Sequence, residues 1–202
     1  MDIKHIILEL PNSNRKNFVK SQLTSYNLNS ETIEAIWGSQ LKESNLFVKP
    51  PQNYTLDSEE RSWNHFACHL SWVKALQYAK RQKYDYFIVY EDDCLLTENY
   101  LQKINMVASE LPEKWVLINL GPRENSNLEL IQSKTYLANI KGVTTGMQST
   151  LFNGKEIDRI LYHLLDWKNW VQIMSPIITF PKFACYPPLT SQSVNLKSNI
   201  RI

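Results

Sequence analysis

Three consecutive carboxylates, Glu91, Asp92 and Asp93, directly follow the apolar run YFIVY at residues 86–90. Like charges a few ångströms apart oppose joint ionisation, and a bound divalent cation removes that cost. A cluster of oxygen ligands suits Mg²⁺ or Mn²⁺ rather than zinc, and these ions often add phosphate oxygens and water to one or two carboxylates. A metal held together with a nucleotide diphosphate is therefore one chemistry that these residues could support.

A structural role competes with this interpretation. Acidic residues are common where a strand turns into a helix, because Asp caps helix N-termini and complements the helix dipole. One carboxylate would be enough for that role, whereas this chain has three after its most apolar strand. In a regular strand Glu91 and Asp93 share one face and Asp92 lies on the other. The pattern by itself leaves helix capping and metal binding both open.

Strands and helices that would position the carboxylates alternate along the chain. The apolar pattern predicts strands at residues 3–10, 31–38, 86–90 and 115–120, helices over 15–26, 63–82 and 96–111, and a mobile loop over 39–60. Weaker signals predict strands at 136–140 and 149–154 and a helix over 155–165. This alternation is typical of an α/β fold with a mainly parallel central sheet flanked by helices.

Polar residues follow three of the predicted strands: Pro11 to Arg15, Glu91 to Asp93, and Gly121 to Arg123. In parallel α/β sheets ligands bind outside the carboxyl ends of the strands. We therefore expect these three segments to line one rim of the sheet. The turn at 11–14 is also expected to cap the helix that follows it.

The composition of the 202-residue chain argues against several classes of protein. A net charge of +2 without a block of Lys and Arg predicts no nucleic-acid partner, and five glycines leave no Gly-rich phosphate loop. No segment approaches the roughly 18 to 20 apolar residues of a membrane span, and the N-terminus lacks a signal-peptide pattern. Cys68, Cys94 and Cys185 are far apart, which favours reduced thiols and a cytoplasmic location. The length predicts a single domain.

Several short blocks, each weak alone, occur in order from about residue 3 to the C-terminus. They are Leu10 with a polar turn and Arg15, Ala35-Ile36-Trp37-Gly38, Ala67-Cys68-His69-Leu70-Ser71-Trp72, Glu91-Asp92-Asp93, Thr144 to Gly146, and Pro187, Pro188, Gln192 and Ser198. Together they resemble the motifs of glycosyltransferase family 25, a group of lipopolysaccharide-type sugar transferases that includes collagen galactosyltransferase domains. Ala67, Trp72 and Asn199 depart from the resemblance, since the family usually has Gly, His and Asp there.

The resemblance implies a GT-A-type, Rossmann-like single domain over 1–202, with a nucleotide-sugar-binding half (about 1–125) and an acceptor-side half (about 126–202). It implies a UDP-sugar donor, UDP-galactose or UDP-glucose, with Mn²⁺ or Mg²⁺ on its diphosphate. It also implies transfer, with inversion, to a glycan, lipid-linked or protein-linked acceptor. The oligomeric state does not follow from it.

The resemblance also implies roles for individual residues. Asp93 and Glu91 are the first candidates for metal ligands, and Asp92 for a contact with the ribose or donor sugar. Further residues implied in binding the donor are Leu10, Pro11, Asn12, Arg15, Ser71, Trp72, Thr145, Gly146 and Gln192. For Arg15 a surface position at the start of a helix is an equal alternative.

Inverting transfer requires a base for the acceptor hydroxyl. Asp166 is the first candidate, because it follows a helix and precedes Trp167 and Trp170, whose rings could stack on a sugar. Asp158 is the alternative base, with a solvated helix face as its simpler explanation. Core packing is the simpler explanation for at least one of the tryptophans.

Three other interpretations remain open. His65, Cys68 and His69 could suggest zinc, although a fourth ligand is not evident. A metal-dependent phosphoesterase or nuclease would use the same carboxylates to activate water, and it would need further Asp or His at other strand ends. A nucleotide-sugar-binding module that has lost catalysis is the third, and Trp72 is the residue that suggests it.

Overall fold

The computed structural model describes residues 1–47, 49–141, 146–165 and 180–193. Its strands are β1 (Lys4–Glu9), β2 (Ser30–Glu34), β3 (Tyr86–Glu91), β4 (Cys94–Leu96), β5 (Leu117–Asn119), β6 (Leu128–Leu130), β7 (Leu137–Ile140), β8 (Ser149–Asn153), β9 (Lys182–Cys185) and β10 (Thr190–Gln192). Its α-helices are α1 (Phe18–Ser25), α2 (Gly38–Glu43), α3 (Glu59–Gln82), α4 (Tyr100–Ser109) and α5 (Ile157–Leu164). Short 3-10 helices lie at Gln52–Tyr54 and Gly154–Glu156.

Eight of the described strands form one sheet in the order β2-β1-β3-β8-β5-β9-β7-β6. β1 is parallel to both β2 and β3, and β5 is parallel to β9, while the other neighbours are antiparallel. Only β8 and β7 therefore run against β1 among these eight strands. The predicted α/β fold with a mainly parallel sheet is confirmed, and the carboxyl ends of β1, β3 and β5 meet at one edge.

The sheet is buried on both faces, because side chains of successive strand residues point in opposite directions. On one face, Ile6, Phe87 and Val89 pack with apolar residues of α3 and α5. On the other, Ile7 and Ile88 pack with apolar residues of α1 and α4. This three-layer arrangement explains why the β3 run has no charged side chain before its end, and it makes β3 a buried support for the carboxylates.

The segment over 39–60 is not the loop that the sequence predicts. It contains α2 and the 3-10 helix, and Tyr54 is completely buried in a small cluster with Leu41, Trp63 and Phe66. α3 begins at Glu59, four residues before its predicted start, because the Ser58 side chain accepts a hydrogen bond from the Arg61 backbone at 3.2 Å. The segment was predicted as a loop because most of its residues are polar, whereas its few apolar residues pack in a buried cluster with α3.

The strand predicted over 31–38 ends at Glu34, and Gly38 begins α2 instead. A Cβ at Gly38 would lie 2.7 Å from the Asn64 backbone nitrogen. Glycine therefore lets the start of α2 pack directly on α3. The turn at 11–14 also does not cap α1, whose start at Asn17 donates its backbone N–H to Glu9 at 2.9 Å.

Candidate active site

A cavity opens at the carboxyl ends of β1 and β3, between those strands and helices α2 and α3. It encloses about 630 Å³, counting the space at its open mouth. One part of its wall is charged or polar and includes Arg15, the three consecutive carboxylates and Gln192; the other part is Leu8, Leu10, Ala35, Ile36, Trp37, Gly38, Asn64, Cys68, Ser71 and Trp72. Two of the three predicted rim segments contribute to this wall.

Arg15 forms the centre of the charged part. One guanidinium nitrogen, Nη1, donates to Asp92 Oδ1 at 2.9 Å and to Asp93 Oδ2 at 3.2 Å. All three side chains are buried, with 4%, 7% and 3% of each residue exposed. Burial raises the pKa of Asp92, and the Arg15 guanidinium opposes that rise. Arg15 is thus an internal counter-ion for two carboxylates and not a surface residue.

The pairing leaves one oxygen of each aspartate unused. Asp92 Oδ2 and Asp93 Oδ1 are buried and have no hydrogen-bond partner among the described residues. A buried carboxylate oxygen without a partner is costly, so it indicates a place where a ligand or ion completes the site. These two oxygens are the atoms through which the charged wall could bind a cation.

Glu91 has different partners. Its Oε1 accepts from the Trp72 indole Nε1 at 3.1 Å, and the Cys68 Sγ lies 3.5 Å from the same oxygen. Burial, followed by the charge of Asp93, raises the pKa of Glu91 to about 7. Burial also raises the pKa of the Cys68 thiol, which therefore keeps its proton as a donor. Glu91 is thus hydrogen-bonded to α3. Separately, the described residues contain no group of three or more His, Cys, Asp or Glu that could hold a metal.

Two motif residues on α3 have structural contacts in addition to lining the cavity. Trp72 supplies its ring N–H to Glu91 Oε1. The Ser71 hydroxyl donates to the Ala67 carbonyl at 2.8 Å and accepts from the Ile36 N–H at 2.9 Å. Ser71 therefore ties the β2–α2 connection to α3.

The other residues that were predicted to bind the sugar donor divide into two groups. Leu10, Arg15 and Gln192 line the cavity, and Gln192 Nε2 donates to Asp93 Oδ2 at 2.9 Å. Pro11 and Asn12 form the turn after β1 and are not part of the cavity wall, nor is Gly146. Thr145 lies outside the described residues.

The candidate bases are not brought to the cavity by the described structure. Asp158 lies on α5 with an exposed carboxylate that pairs with Lys80 Nζ at 2.5 Å. Asp166, Trp167 and Trp170 lie outside the described residues, and so do Ser198 and Asn199. The geometry therefore gives Asp158 the solvated helix position that was its simpler explanation, and Asp166 stays a prediction.

His69 uses both of its ring nitrogens in packing α3 against neighbouring elements. Nδ1 lies 2.8 Å from the Tyr54 hydroxyl, and Nε2 lies 3.1 Å from the Leu164 carbonyl oxygen. Burial lowers the pKa of His69 to about 4, so the ring is neutral at pH 7. These contacts give His69 a structural explanation without zinc.

Trp37 and Asn64 also line the cavity, although neither was among the residues implied in binding the donor. A signal for Asn64 was present, because Asn64, Cys68 and Trp72 follow each other at intervals of four residues on α3 and all three reach the wall. Trp37 precedes Gly38 within the Ala35–Gly38 motif, whose cavity position depends on the packing of α2 on α3.

None of the described helices is long and apolar enough to cross a membrane. All three cysteines lie in the described part of the chain, and all are free thiols.

Comparisons with known proteins agree with this fold. A solved structure of A197 from STIV has 10% identity and a TM-score of 0.52, over 91% of this chain and 81% of that one. A solved structure of a glycosyltransferase involved in the glycosylation of the major capsid of PBCV-1 has 9% identity and a TM-score of 0.51, over 98% of this chain and 96% of that one. Identities this low show a shared fold alone, and no curated protein matches the chain.

The match to a protein family reaches further than the structural likeness. A family model described as glycosyltransferase family 25 (LPS biosynthesis protein) matches residues 2–166, which include β1, the α2–α3 motifs, the three carboxylates and β8. The match covers most of the chain and all but one of the elements that form the charged wall. The chain belongs to glycosyltransferase family 25 and is a glycosyltransferase.

Proposed function

We propose that the protein transfers a hexose, galactose or glucose, from a UDP-sugar to a hydroxyl group of a glycan, lipid-linked or protein-linked acceptor. The proposal includes Mn²⁺ or Mg²⁺ on the donor diphosphate and inversion at the transferred carbon. The observation that carries it is the cavity at the ends of β1 and β3, where Arg15 and two aspartates stand beside an apolar wall. A nucleotide sugar has the same division, with a charged diphosphate between less polar rings.

The residues of the charged wall fit a hard divalent cation. Asp92 Oδ2 and Asp93 Oδ1 are unpartnered carboxylate oxygens, and Mg²⁺ and Mn²⁺ commonly use one or two carboxylates with phosphate oxygens. We assign the metal to these two atoms in preference to Glu91, whose Oε1 already accepts from α3. A bound cation would neutralise the negative charge that develops on the departing UDP.

The chain's own residues contribute orientation and charge. Arg15 holds both aspartates in fixed rotamers, and its guanidinium adds a positive charge beside the place of the diphosphate. Glu91 lines the cavity and is held by Trp72, and we assign it a contact with hydroxyl groups of the donor. The apolar wall at Ile36 and Trp37 excludes water from the nucleoside part of the donor. Asp166 remains the proposed base.

For the acceptor and the cellular location, the proposal names only a class. The family description names lipopolysaccharide biosynthesis, so a growing glycan of that kind is the acceptor class that we favour. A cytoplasmic location is supported by the three free thiols.

The first test combines binding with turnover. The purified protein is incubated with Mn²⁺ and a panel of UDP-sugars, and both the shift in melting temperature and the release of UDP are followed. We expect stabilisation by Mn²⁺ with UDP in the wild type and its loss in Asp93→Asn, which places an amide nitrogen where Oδ1 stands. Asp85→Asn, which changes an exposed carboxylate just before β3, is the matched control and should bind like the wild type.

Each other outcome rejects part of the proposal. Stabilisation without UDP release, with any sugar acceptor, would identify a binding module that has lost catalysis. Hydrolysis of a phosphate ester in place of transfer would identify the phosphoesterase alternative. If no nucleotide stabilises the wild type in the presence of Mn²⁺, the assigned donor is wrong.

A further inference from the structure

We propose that Arg123 is a positioning residue of the transfer site and acts on the Asp93 carboxylate through the side-chain amide of Gln192. The inference rests on the proposed function and deepens it, because it explains which oxygen of Asp93 is left for a ligand. Arg123 follows β5 and is exposed, and it does not line the cavity itself.

Buried amides hold the turn from which Arg123 projects. The Asn119 side chain is completely buried, accepts from the Gly121 N–H at 3.0 Å, and donates to the Gly146 carbonyl at 2.8 Å. Gln148 donates from Nε2 to the Gly121 carbonyl at 2.7 Å. Buried hydrogen bonds of this kind, fully satisfied, make a local structure rigid. These bonds fix the backbone at Gly121, two residues before Arg123.

The Arg123 side chain is also confined although it is exposed. A Cβ added to Gly146 would lie 2.8 Å from Arg123 Cγ, so the aliphatic part of the side chain passes directly across that glycine. Gly146 has a φ of +82°, which favours glycine at this position for a second reason. Contact with the Gly146 backbone reduces the rotamer freedom that usually makes an exposed arginine bond weak.

The Arg123 guanidinium and the Asp93 carboxylate favour the same orientation of the Gln192 amide, and Arg123 anchors its oxygen. Arg123 Nη2 donates to Gln192 Oε1 at 2.9 Å, and Gln192 Nε2 donates to Asp93 Oδ2 at 2.9 Å. A guanidinium can only donate hydrogen bonds, so Arg123 pairs with the amide oxygen of Gln192. In that orientation the NH₂ group of Gln192 is directed at Asp93. Without Arg123, the Gln192 side chain would lose the donor that anchors Oε1 and would hold the Asp93 carboxylate less firmly.

This orientation decides which Asp93 oxygen remains available. Oδ2 receives Gln192 as well as Arg15 Nη1, whereas Oδ1 is buried without a partner among the described residues. The Arg123–Gln192 pair therefore holds Asp93 so that Oδ1 alone is offered to a ligand. Gln192 on β10 lies 99 residues after Asp93, so its hydrogen bond connects the C-terminal part of the chain to the carboxylate that follows β3.

A double-mutant cycle tests the positioning role. The Kd of Mn²⁺ and the Kd of UDP in the presence of Mn²⁺ are measured by calorimetry for the wild type, Arg123→Ala, Gln192→Ala and the double variant. We expect Arg123→Ala to weaken binding on the order of tenfold, the scale of one charge-assisted hydrogen bond. In the Gln192→Ala background the same change should have almost no effect, because the amide that it orients is gone.

Two further variants keep the test independent of folding defects. Arg123→Lys keeps a donor for Gln192 Oε1 and should recover part of the affinity lost in Arg123→Ala. Arg81→Ala removes an exposed arginine at the end of α3 that does not line the cavity, and it should bind as the wild type does. A loss of affinity that Arg123→Lys does not reduce at all contradicts the donor role.

The remaining outcomes overturn the inference in distinguishable ways. If Arg123→Ala costs the same in both backgrounds, Arg123 contacts the ligand directly and does not act through Gln192. If Arg123→Ala binds as tightly as the wild type, the pair has no positioning role. If the wild type binds neither Mn²⁺ nor UDP, the proposed function fails, and this inference fails with it.

Discussion

At the scale of single residues, Glu91, Asp92 and Asp93 are consecutive but contact different groups. The two aspartates share the Arg15 guanidinium, while Glu91 accepts from Trp72 and Cys68 on α3. This division separates two carboxylates held by a positive charge from one held by neutral donors. Burial and the charge of Asp93 raise the pKa of Glu91 to about 7, and the hydrogen bonds from Trp72 and Cys68 oppose that rise.

Trp72→Phe should destabilise the protein more at pH 8 than at pH 5. The indole N–H favours the ionised form of Glu91, so its loss removes a bond to a charged group, worth about 1 to 3 kcal/mol, only where Glu91 is ionised. The pKa of Glu91 is raised above its unfolded value of 4.5, so its contribution to stability is present below pH 4.5 and lost as the pH rises through about 7. In the variant the pKa of Glu91 should be raised further, so the loss should continue to a higher pH.

Urea unfolding from pH 5 to pH 8 measures this difference. Trp115→Phe is the control, because Trp115 stacks on Tyr86 with ring centroids 6.0 Å apart and its cost should not change with pH. Equal costs for Trp72→Phe at both pH values would show that Trp72 acts only by packing, as its contact with Phe152 allows.

At the scale of elements, the cavity depends on the close packing of α2 on α3. Gly38 begins α2 and contacts the Asn64 backbone, and Ser71 on α3 accepts from the Ile36 N–H just before α2. The two contacts hold the apolar wall against the long helix. A six-residue helix has little stability of its own, so this wall exists only because α3 supports it.

Gly38→Ala should destabilise the protein by about 1 to 3 kcal/mol and weaken UDP binding as well. A Cβ there would lie 2.7 Å from the Asn64 nitrogen and 2.9 Å from its Cα, and these backbone atoms can move only if α2 shifts. The free energy of unfolding and the Kd of UDP with Mn²⁺ are the measurements.

Gly154→Ala provides a matched comparison at the other edge of the sheet. A Cβ there would lie 1.8 Å from the Tyr84 carbonyl oxygen, beside the first residues of β3 and not its carboxyl end. It should reduce stability without changing the affinity for UDP. If Gly38→Ala also reduces stability without changing the affinity for UDP, the apolar wall at α2 takes no part in binding.

At the scale of the whole molecule, buried polar networks cross the layers that pack on the sheet. His5 Nδ1 on β1 lies 2.8 Å from the Tyr90 hydroxyl on β3, which lies 2.7 Å from the Tyr100 hydroxyl on α4. Burial lowers the pKa of His5 to about 4, as it does for His69. Both rings are neutral in the folded protein at pH 7, and both must be protonated on unfolding in mild acid.

The protein should lose stability as the pH falls from about 6.5 to about 4. The pKa values of His5 and His69 are depressed, so their contribution is complete above the unfolded value of 6.5 and is lost towards 4, by about 3 kcal/mol for each. Glu91 acts in the opposite sense over part of this range and offsets a share of the loss.

Urea unfolding of the wild type and of His5→Asn at several pH values checks this expectation. His5→Asn should be less stable at pH 7 but should show a shallower decline between pH 6.5 and pH 4, because one titrating ring is gone. An unchanged slope would show that His5 is protonated equally in the folded and unfolded states.

Much of the fold could be predicted from local patterns. The apolar run of β3, the helical spacing in α3 and the alternation of strands and helices all depend on near neighbours, and each is confirmed. The α2 segment was missed because Tyr54 and Leu41 are isolated apolar residues in a polar stretch, and only a partner cluster on α3 makes them core residues. The strand order 2-1-3-8-5-9-7-6 had no local signal.

The sequence by itself determined that three carboxylates end a buried strand and that Arg15 and Gln192 belong to ordered motifs. Only the tertiary structure decided their partners. Arg15 bonds to Asp92 and Asp93, which are 77 and 78 residues away in the sequence, and Gln192 bonds to Asp93, which is 99 residues away. The physical reason is that side-chain periodicity acts over a few residues, while hydrogen-bond pairing requires the packing of whole strands. That packing left Asp92 Oδ2 and Asp93 Oδ1 without partners, and it turned Glu91 towards α3.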